Sequence, residues 1–384
     1  MSEYQYYEFR AMDEPLDRKA MDNLRNLSSR AQITPTSFIN EYNYGGDFKG
    51  TPLKLMEKYF DAFLYVANWG TREFMLKVPL RLVNFDLIKE YCGGENATAY
   101  KKGENLIFQF ISDTDDPEWE EGEGWLSSLI TLRSDILQGD CRCLYLGWLY
   151  CAQMEDFEED ELEPPVPPNL GSLNAPLKNF VDFMRIDNDL VAVAAKNSAS
   201  TEVQQAVDEK ALNTWISQLP EKEKDNILLR LTQGHDPHLG AELLQRYKSR
   251  IGGEQNGRTD ITPRTVTDLI AEGEIHAAER ERRSAEKRAK EKARKARESA
   301  VIREKYLNEL VKREDQVWKQ VDELIGTKHQ SDYDSAVQLL VDLRDVGIKR
   351  KNEKPFQEKL HRIREVHSRK PSFMERLKKA GLNE

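Results

Sequence analysis

The longest regular pattern of polar and apolar positions lies between Thr262 and Gly326. Thr262 followed by Pro263 is typical of a helix N-cap with proline at the first helical position. No other proline follows before Gly326, and Gly273 is the single internal glycine. At ~1.5 Å per residue, a continuous helix over this range would be roughly 90 Å long. No single globular core needs such a helix, so the pattern predicts a rod that reaches a partner or joins two bodies.

The apolar positions divide this predicted rod into two halves. In the first half the only regular apolar feature is an alanine stripe with gaps of four, four, three and four residues: Ala285, Ala289, Ala293, Ala296 and Ala300. From Ile302 onward the stripe consists of large residues, among them Leu310 and Trp318. Large apolar residues at helical spacing need a covering surface, whereas alanine buries little area. We therefore expect a solvated first half, and a second half in which Leu310 and Trp318 contact a partner helix or domain.

The chain before the rod begins with alternating apolar and polar segments. These segments predict an α+β domain over residues 1–163, with a mainly antiparallel sheet. Two hairpins are indicated, one about Asn68-Trp69-Gly70 and one about Lys102-Gly103. Trp69 at the first hairpin tip is a candidate contact residue. A Trp69 side chain folded over the sheet is the alternative.

Beyond residue 163 the pattern is helical. The run Pro164–Pro168 is typical of a stiff extended spacer, so we place a domain boundary there. The alternative is that this segment wraps back on the N-terminal domain. The predicted divisions are the α+β domain at 1–163, a proline-rich acidic linker at 164–172, a helical domain at 173–251, a flexible linker at 252–261, a long charged helix or coiled coil at 262–326 and a helical tail at 331–384.

Charge is distributed unevenly along the 384 residues, whose net charge is −10. Residues 1–170 carry 16 basic and 31 acidic side chains, a net charge of −15, and residues 171–384 carry 41 and 36, a net charge of +5. Opposite charges suggest an internal or head-to-tail contact between the two halves. The alternative is two solvated surfaces that never meet.

Composition also bears on cellular location. The chain has four cysteines and no secretory leader, which favours a reducing, cytoplasmic setting. No apolar run reaches eighteen residues, so we expect no membrane span.

Motifs for metal or catalytic sites are incomplete. Cys141, Cys143 and Cys151 have part of a zinc-ligand spacing, but Gln153 stands where the fourth ligand should be, so buried thiols are the better interpretation. The acidic run Asp113–Glu123 lacks the glycine and the final glutamate of a calcium loop and is expected to be a solvated loop. We expect no cofactor, no metal and no catalytic residue. An acid-based enzyme in the N-terminal domain is left open.

Two histidines, His235 and His238, are close enough in sequence to share a metal ion, but nothing nearby completes a site. Every histidine lies after residue 234, which excludes a Ser-His-Asp site built within the N-terminal domain alone.

The run Arg280–Arg297 is the candidate for binding nucleic acid or an acidic protein. It holds ten basic and three acidic residues, a net charge of +7. Lysine and arginine at this density support salt-dependent phosphate binding, although no aromatic residues are interleaved. A solvated helix is the third interpretation. The candidate contact residues are Arg280, Arg282, Arg283, Lys287, Arg288 and Lys290.

Two resemblances accompany these patterns. The N-terminal run, with Ser28-Ser29-Arg30-Ala31 and Tyr65–Gly70, resembles a family of uncharacterised bacterial proteins. The tail, with Tyr333–Val337, Leu343-Arg344-Asp345 and Arg369-Lys370-Pro371-Ser372, resembles the C-terminal tail of bacterial SWIM zinc-finger proteins. This second resemblance covers roughly the last 120 residues and implies a shared interaction tail without catalytic residues.

From these features we expect a cytoplasmic, non-enzymatic interaction or adaptor protein. Its α+β head and its long helix with a helical tail would be presented to a protein partner. The alternative is a nucleic-acid-associated accessory protein that uses the basic helix at 280–297. The sequence does not indicate the oligomeric state.

Overall fold

Alternating aromatic and aliphatic residues in the N-terminal part of the chain form one antiparallel sheet. The computed structural model describes residues 3–43, 46, 48–116, 119–200, 209–234, 236–251 and 263–382, without the side chains of residues 248, 249 and 251. The strands within these residues are β1 (Gln5–Arg10), β2 (Gln32–Thr34), β3 (Ser37–Tyr42), β4 (Ala62–Ala67), β5 (Arg72–Pro79), β6 (Ala97–Lys102) and β7 (Asn105–Ser112). Their order is β2-β3-β1-β4-β5-β7-β6, and every neighbouring pair is antiparallel.

Helices cover both faces of this sheet. The helices described before residue 252 are α1 (Arg18–Arg25), α2 (Pro52–Lys58), α3 (Phe85–Tyr91), α4 (Trp125–Leu129), α5 (Leu132–Leu137), α6 (Arg142–Gln153), α7 (Ala175–Met184), α8 (Asn188–Ala194), α9 (Glu209–Gln218), α10 (Glu221–Gln233) and α11 (Leu239–Ile251). Side chains alternate between the faces of a strand. Phe9 and Phe63 therefore pack against α1 and α2, whereas Phe74 and Phe108 pack against the layer that contains α3 to α8. The predicted α+β class is confirmed.

The segment 164–172 does not separate two cores. The Tyr91 hydroxyl donates a hydrogen bond of 2.7 Å to the backbone oxygen of Pro165. Leu170 is buried in the same core as the sheet, and that core continues through α7 and α8. The boundary predicted at this segment is therefore replaced by the alternative, in which the chain wraps back on the N-terminal domain. The first compact unit of the chain extends to Arg280, and the second spans Glu281–Glu384.

Helices α9 to α11 have a small cluster of their own within the first unit. Its buried members are Trp215, Leu219 and Tyr247, and the two aromatic rings meet edge to face with centroids 5.6 Å apart. The linker predicted at 252–261 lies outside the described residues.

The predicted long helix is present but shorter than the predicted rod. Helix α12 spans Val266–Lys312, and the Thr265 hydroxyl accepts a hydrogen bond of 3.1 Å from the backbone nitrogen of Asp268 at its start. The N-cap predicted at Thr262 lies outside the described residues. Arg313, with φ −123° and ψ 25°, interrupts the helix before α13 (Glu314–Gly326).

Three more helices complete the second unit. They are α14 (Gln330–Lys349), α15 (Lys354–His367) and α16 (Pro371–Lys379). Together with α13 and the end of α12 they enclose one apolar core. Leu310 is fully buried there and Trp318 is 7% exposed, with its ring 5.8 Å from that of Phe356. The second half of the predicted rod is thus covered by protein from Leu307 onward, as expected, whereas Ile302 at its start is 68% exposed. Leu310 and Trp318 belong to this internal core, so the prediction that they bind a separate partner is wrong.

Candidate functional site

Residues 281–302 of α12, here called the exposed stretch, have no covered face. Every residue in this range is exposed except Ser284, which is half-buried. Val301 is 52% exposed and Ile302 is 68% exposed. Most helices in folded proteins bury one face, and a helix that is polar all round usually bridges between bodies or is held by ion pairs along its own surface. The solvated first half predicted from the alanine stripe is confirmed.

Ion pairs within the exposed stretch use only part of its positive charge. Arg282 pairs with Glu286 at 3.5 Å and Lys295 with Glu291 at 2.9 Å. These are i,i+4 pairs, which stabilise a helix by roughly 0.3–0.5 kcal/mol each. Five cationic side chains make no ion pair or hydrogen bond within the described part of the chain: Lys287, Arg288, Lys290, Lys292 and Arg297.

Five basic residues follow one side of the exposed stretch and form what we call the basic stripe. They recur at gaps of four, three, four and three residues: Arg283, Lys287, Lys290, Arg294 and Arg297. At 3.6 residues per turn, this spacing keeps all five on one face of the helix over about 21 Å. The alanine stripe is centred about a third of a turn away around the helix. Of the basic residues predicted as contacts, Arg283, Lys287 and Lys290 belong to the stripe, whereas Arg282 and Arg288 point about 100° or more away from it around the helix.

Arg280, the first predicted basic contact residue, has a different environment. Its guanidinium donates to both carboxylate oxygens of Asp189 at 2.9 Å, and Nδ1 of His276 lies 2.9 Å from the same carboxylate. Asp189 is 3% exposed, and the hydrogen bonds from Arg280 and His276 lower its pKa below the ordinary value. Arg280 therefore holds α12 against α8 rather than presenting a free charge.

Trp69 is exposed at the turn between β4 and β5, as the contact hypothesis requires. Its side chain is 45% exposed, so it is not folded over the sheet. The next residue, Gly70, has φ +109°, and a Cβ atom there would lie 2.3 Å from the backbone oxygen of Thr114. Only glycine fits this turn, which fixes the Trp69 hairpin tip against the acidic segment that begins at Asp113.

Trp119 is a second exposed tryptophan, which sequence reasoning missed. It is 61% exposed, and its ring lies 5.2 Å from that of Tyr4. Tyr4 also connects to the Trp69 turn, because its backbone nitrogen donates to Oδ1 of Asn68 at 2.9 Å. We call the exposed Trp69 and Trp119, together with the buried Tyr4 that contacts the Trp119 ring and the Trp69 turn, the aromatic patch. A tryptophan inside a run of carboxylates was the signal that could have revealed it.

The acidic run around Trp119 was expected to be a solvated loop, and the structure anchors part of it. Glu120 forms an ion pair with Arg72 and accepts a hydrogen bond of 2.9 Å from Nε1 of Trp125. The backbone nitrogen of Gly122 donates to the Tyr4 hydroxyl at 3.0 Å. Glu121 and Glu123 are exposed, and both carboxylates, after burial, contribute to the raised pKa of Tyr4. Glu118 lies outside the described residues.

His238 belongs to a buried polar cluster that joins the start of α11 to the segment after β1 and to α5. Its Nε2 lies 2.8 Å from Oδ2 of Asp13, and Arg133 donates to both oxygens of that carboxylate at 2.8 and 2.6 Å. Burial alone would raise the pKa of Asp13, but the hydrogen bonds from His238 and Arg133 outweigh it and lower the pKa to about 2. The cluster ties together segments 225 residues apart. His235, the other half of the predicted pair, lies outside the described residues.

The cysteines are buried or half-buried thiols. Cys143 and Cys151 are buried in α6, and burial raises the pKa of Cys92 to about 12 and that of Cys141 to about 11. Gln153, at the position of the missing zinc ligand, instead donates to the backbone oxygen of Arg185 at 3.1 Å. The described residues include no group of three or more His, Cys, Asp and Glu side chains that could hold a metal ion.

The last two findings concern membrane helices and similarity to known proteins. No helix in the described ranges is both long and apolar enough to cross a bilayer. Comparisons of the chain with protein-family models, with curated proteins and with solved structures found no match.

Proposed function

We propose that this chain is an interaction or adaptor protein whose exposed stretch binds an acidic protein surface. The observation that carries the proposal is a helix of 47 residues in which residues 281–302 pack against nothing while its two ends are buried. The first end is held by the core of the first unit and the last by the core of the second. A helix with a long solvated stretch is suited to presenting a surface.

The charge pattern supports a protein with acidic side chains as the partner. The basic stripe runs along one face, and three of its members, Lys287, Lys290 and Arg297, are not neutralised within the described chain. Ion pairs formed on such a surface are individually weak, about 0–1 kcal/mol each. The affinity of a contact of this kind comes from several pairs acting together, and it falls steeply with salt.

Capture of partners from cells of the source organism tests the proposal. The bait is the full chain, compared with a variant in which Lys287, Lys290 and Arg297 are replaced by glutamine. We expect the unmodified chain to retain a defined set of acidic proteins that the variant loses. A matched control replaces Lys354, Arg362 and Lys379, which are exposed basic residues of the second unit, by glutamine. Equal recovery by all three baits would show that the stripe is only a spacer.

The regular spacing of the basic stripe favours nucleic acid as a second candidate partner. A helix of this diameter fits the major groove of duplex DNA, and a row of cations about 21 Å long could contact several phosphates. The expected signature is a steep fall of duplex affinity with salt. In a plot of the logarithm of the binding constant against the logarithm of the salt concentration, each phosphate contact should add about −0.9 to the slope. Titration of duplex DNA at two salt concentrations, with the glutamine variant as control, tests this candidate. A shallow slope that the variant shares would exclude it.

A further inference from the structure

The two surfaces described above are chemically complementary. The aromatic patch lies beside carboxylates, since the exposed Glu121 and Glu123 flank Gly122, whose backbone nitrogen donates to the Tyr4 hydroxyl. The basic stripe offers guanidinium and ammonium groups along one helix face. Cations bind over the faces of exposed tryptophan rings, and carboxylates next to the ring strengthen the attraction.

We propose that the aromatic patch of one chain binds the basic stripe of a second copy of this chain. The inference rests on the proposed function and names the acidic surface that the stripe binds. Each copy carries one patch and one stripe, so the contact would occur twice in a closed two-fold dimer. Trp119 and Trp69 would lie over the stripe, and Glu121 and Glu123 would pair with Lys287, Lys290 or Arg297.

The loop that carries Trp119 is already held in place by contacts within the chain. Glu120 and Gly122 hold the loop next to Trp119, through the ion pair to Arg72 and the hydrogen bond to the Tyr4 hydroxyl. A Cβ at Gly122 would lie 2.3 Å from the Tyr6 ring, so the loop is pressed against the end of the sheet. An aromatic surface that is already ordered loses little conformational freedom on binding.

Another exposed apolar surface competes with the patch as the site of self-association. Helix α10 carries three leucines that are more than half exposed: Leu228 at 57%, Leu229 at 55% and Leu231 at 64%. An association through these leucines would be hydrophobic and therefore insensitive to salt, which separates the two possibilities.

Sedimentation velocity of the purified full chain tests the proposal. We expect a dimer at about 0.05 M salt whose dissociation constant rises at least about tenfold at about 0.5 M salt. Replacement of Trp69 and Trp119 by alanine should weaken the dimer by about tenfold or more. Charge reversal by Glu121→Lys and Glu123→Lys should do the same without altering any packed side chain. Circular dichroism melting confirms that each variant is folded.

Mixing variants gives the sharpest arm of the experiment. The patch variant with Trp69→Ala and Trp119→Ala keeps its stripe, and the variant with Lys287, Lys290 and Arg297 replaced by glutamine keeps its patch. Each alone should associate at least about tenfold more weakly than the unmodified chain, whereas the mixture retains one intact contact and should associate with intermediate affinity. Failure of the mixture to associate more strongly than either variant would overturn the proposal.

The remaining outcomes separate this inference from the proposed function. A monomer at every concentration and salt, or a dimer lost only on Leu228→Ser and Leu231→Ser, overturns the inference. If the purified chain is monomeric but the stripe variant still loses its captured acidic proteins, the adaptor function stands and the partner is a different protein. If the patch variant loses a captured basic protein instead, the occupant of the patch is that protein and not a second copy.

Discussion

Two parts of the same helix, residues 266–280 and residues 281–302 of α12, have similar helix-forming composition and opposite surroundings. The first part buries Val266 and Leu269 in the core of the sheet unit and closes two ion-pair clusters, one at Arg264 just before the helix and one at Asp189. The second part buries nothing. The difference shows that helix propensity determines that α12 forms, whereas a few apolar and polar residues determine where it is held.

Charge placed in a covered part of the helix should have the largest effect. Leu310→Asp puts a carboxylate into a fully buried position of the second core. The loss of a buried leucine together with the burial of an unpaired charge should cost at least about 4 kcal/mol and open the C-terminal helices to protease. The replacements Arg288→Ala and Lys292→Ala in the exposed stretch should change unfolding by less than about 0.5 kcal/mol. Limited proteolysis and denaturant unfolding measure both. Equal losses in the two sets would contradict the division.

Removal of the buried ion pair at the start of the docked part should have the next largest effect. Arg264 donates two hydrogen bonds of 2.9 Å to Glu163, whose carboxylate also accepts from the Tyr145 hydroxyl. Arg264→Ala leaves Glu163 buried without a cation, at a cost of about 3 kcal/mol. Arg282→Ala, which breaks the exposed pair with Glu286, is the matched control and should cost less than about 0.5 kcal/mol. A similar loss in chemical denaturation for both variants would argue against burial as the cause.

Gly273 gives a smaller test of the close approach between α12 and α8. A Cβ at this position would lie 3.3 Å from Cδ1 of Leu190, and backbone lies just beyond. Gly273→Leu gains helix propensity but has no room, so we expect a net destabilisation of about 1–2 kcal/mol. Ala289→Leu in the exposed stretch should be neutral within about 0.5 kcal/mol. Thermal unfolding of the two variants checks the difference, and a stabilised Gly273→Leu variant would refute the close packing.

The carboxyl group of Asp189, which pairs with His276 and Arg280, should make the stability of residues 266–280 of α12 depend on pH. Its pKa in the folded chain is below the ordinary value, so its contribution to stability is present above about pH 4 and is lost as pH falls through the lowered pKa. Asp189→Asn cannot ionise. The difference in unfolding free energy between wild type and variant should therefore shrink as pH falls below about 4. A constant difference over this range would mean that the carboxylate charge has no role in docking.

The sequence was sufficient for the elements that depend on local pattern. Both hairpins, the long helix and its solvated half followed from turn residues, periodicity and alanine spacing. What it could not supply are contacts between distant segments. The hydrogen bond between His238 and Asp13 and the close packing of Gly273 against Leu190 depend on how the helices pack. The periodicity of a single sequence carries no information about helix packing.

The candidate site was predictable in part. The basic run was visible from composition, and Trp69 from a turn signal. Trp119 was missed because an acidic run is usually interpreted as a solvated loop. In the structure, Glu120 and Gly122 anchor the loop to Arg72 and Tyr4. Leu310 and Trp318 were assigned to a partner because the sequence does not reveal that α13 to α16 fold back over them.

Hydrogen exchange along α12 tests most directly the claim that one helix has a docked part and a free part. Amides in residues 266–280 and 303–312 should exchange slowly, because their opening requires disruption of a core. Amides in residues 281–302 of the dilute chain at high salt should exchange markedly faster, through local opening of a solvated helix. Uniform slow exchange across residues 281–302 under these conditions would show that a surface covers the stretch, and would contradict the account.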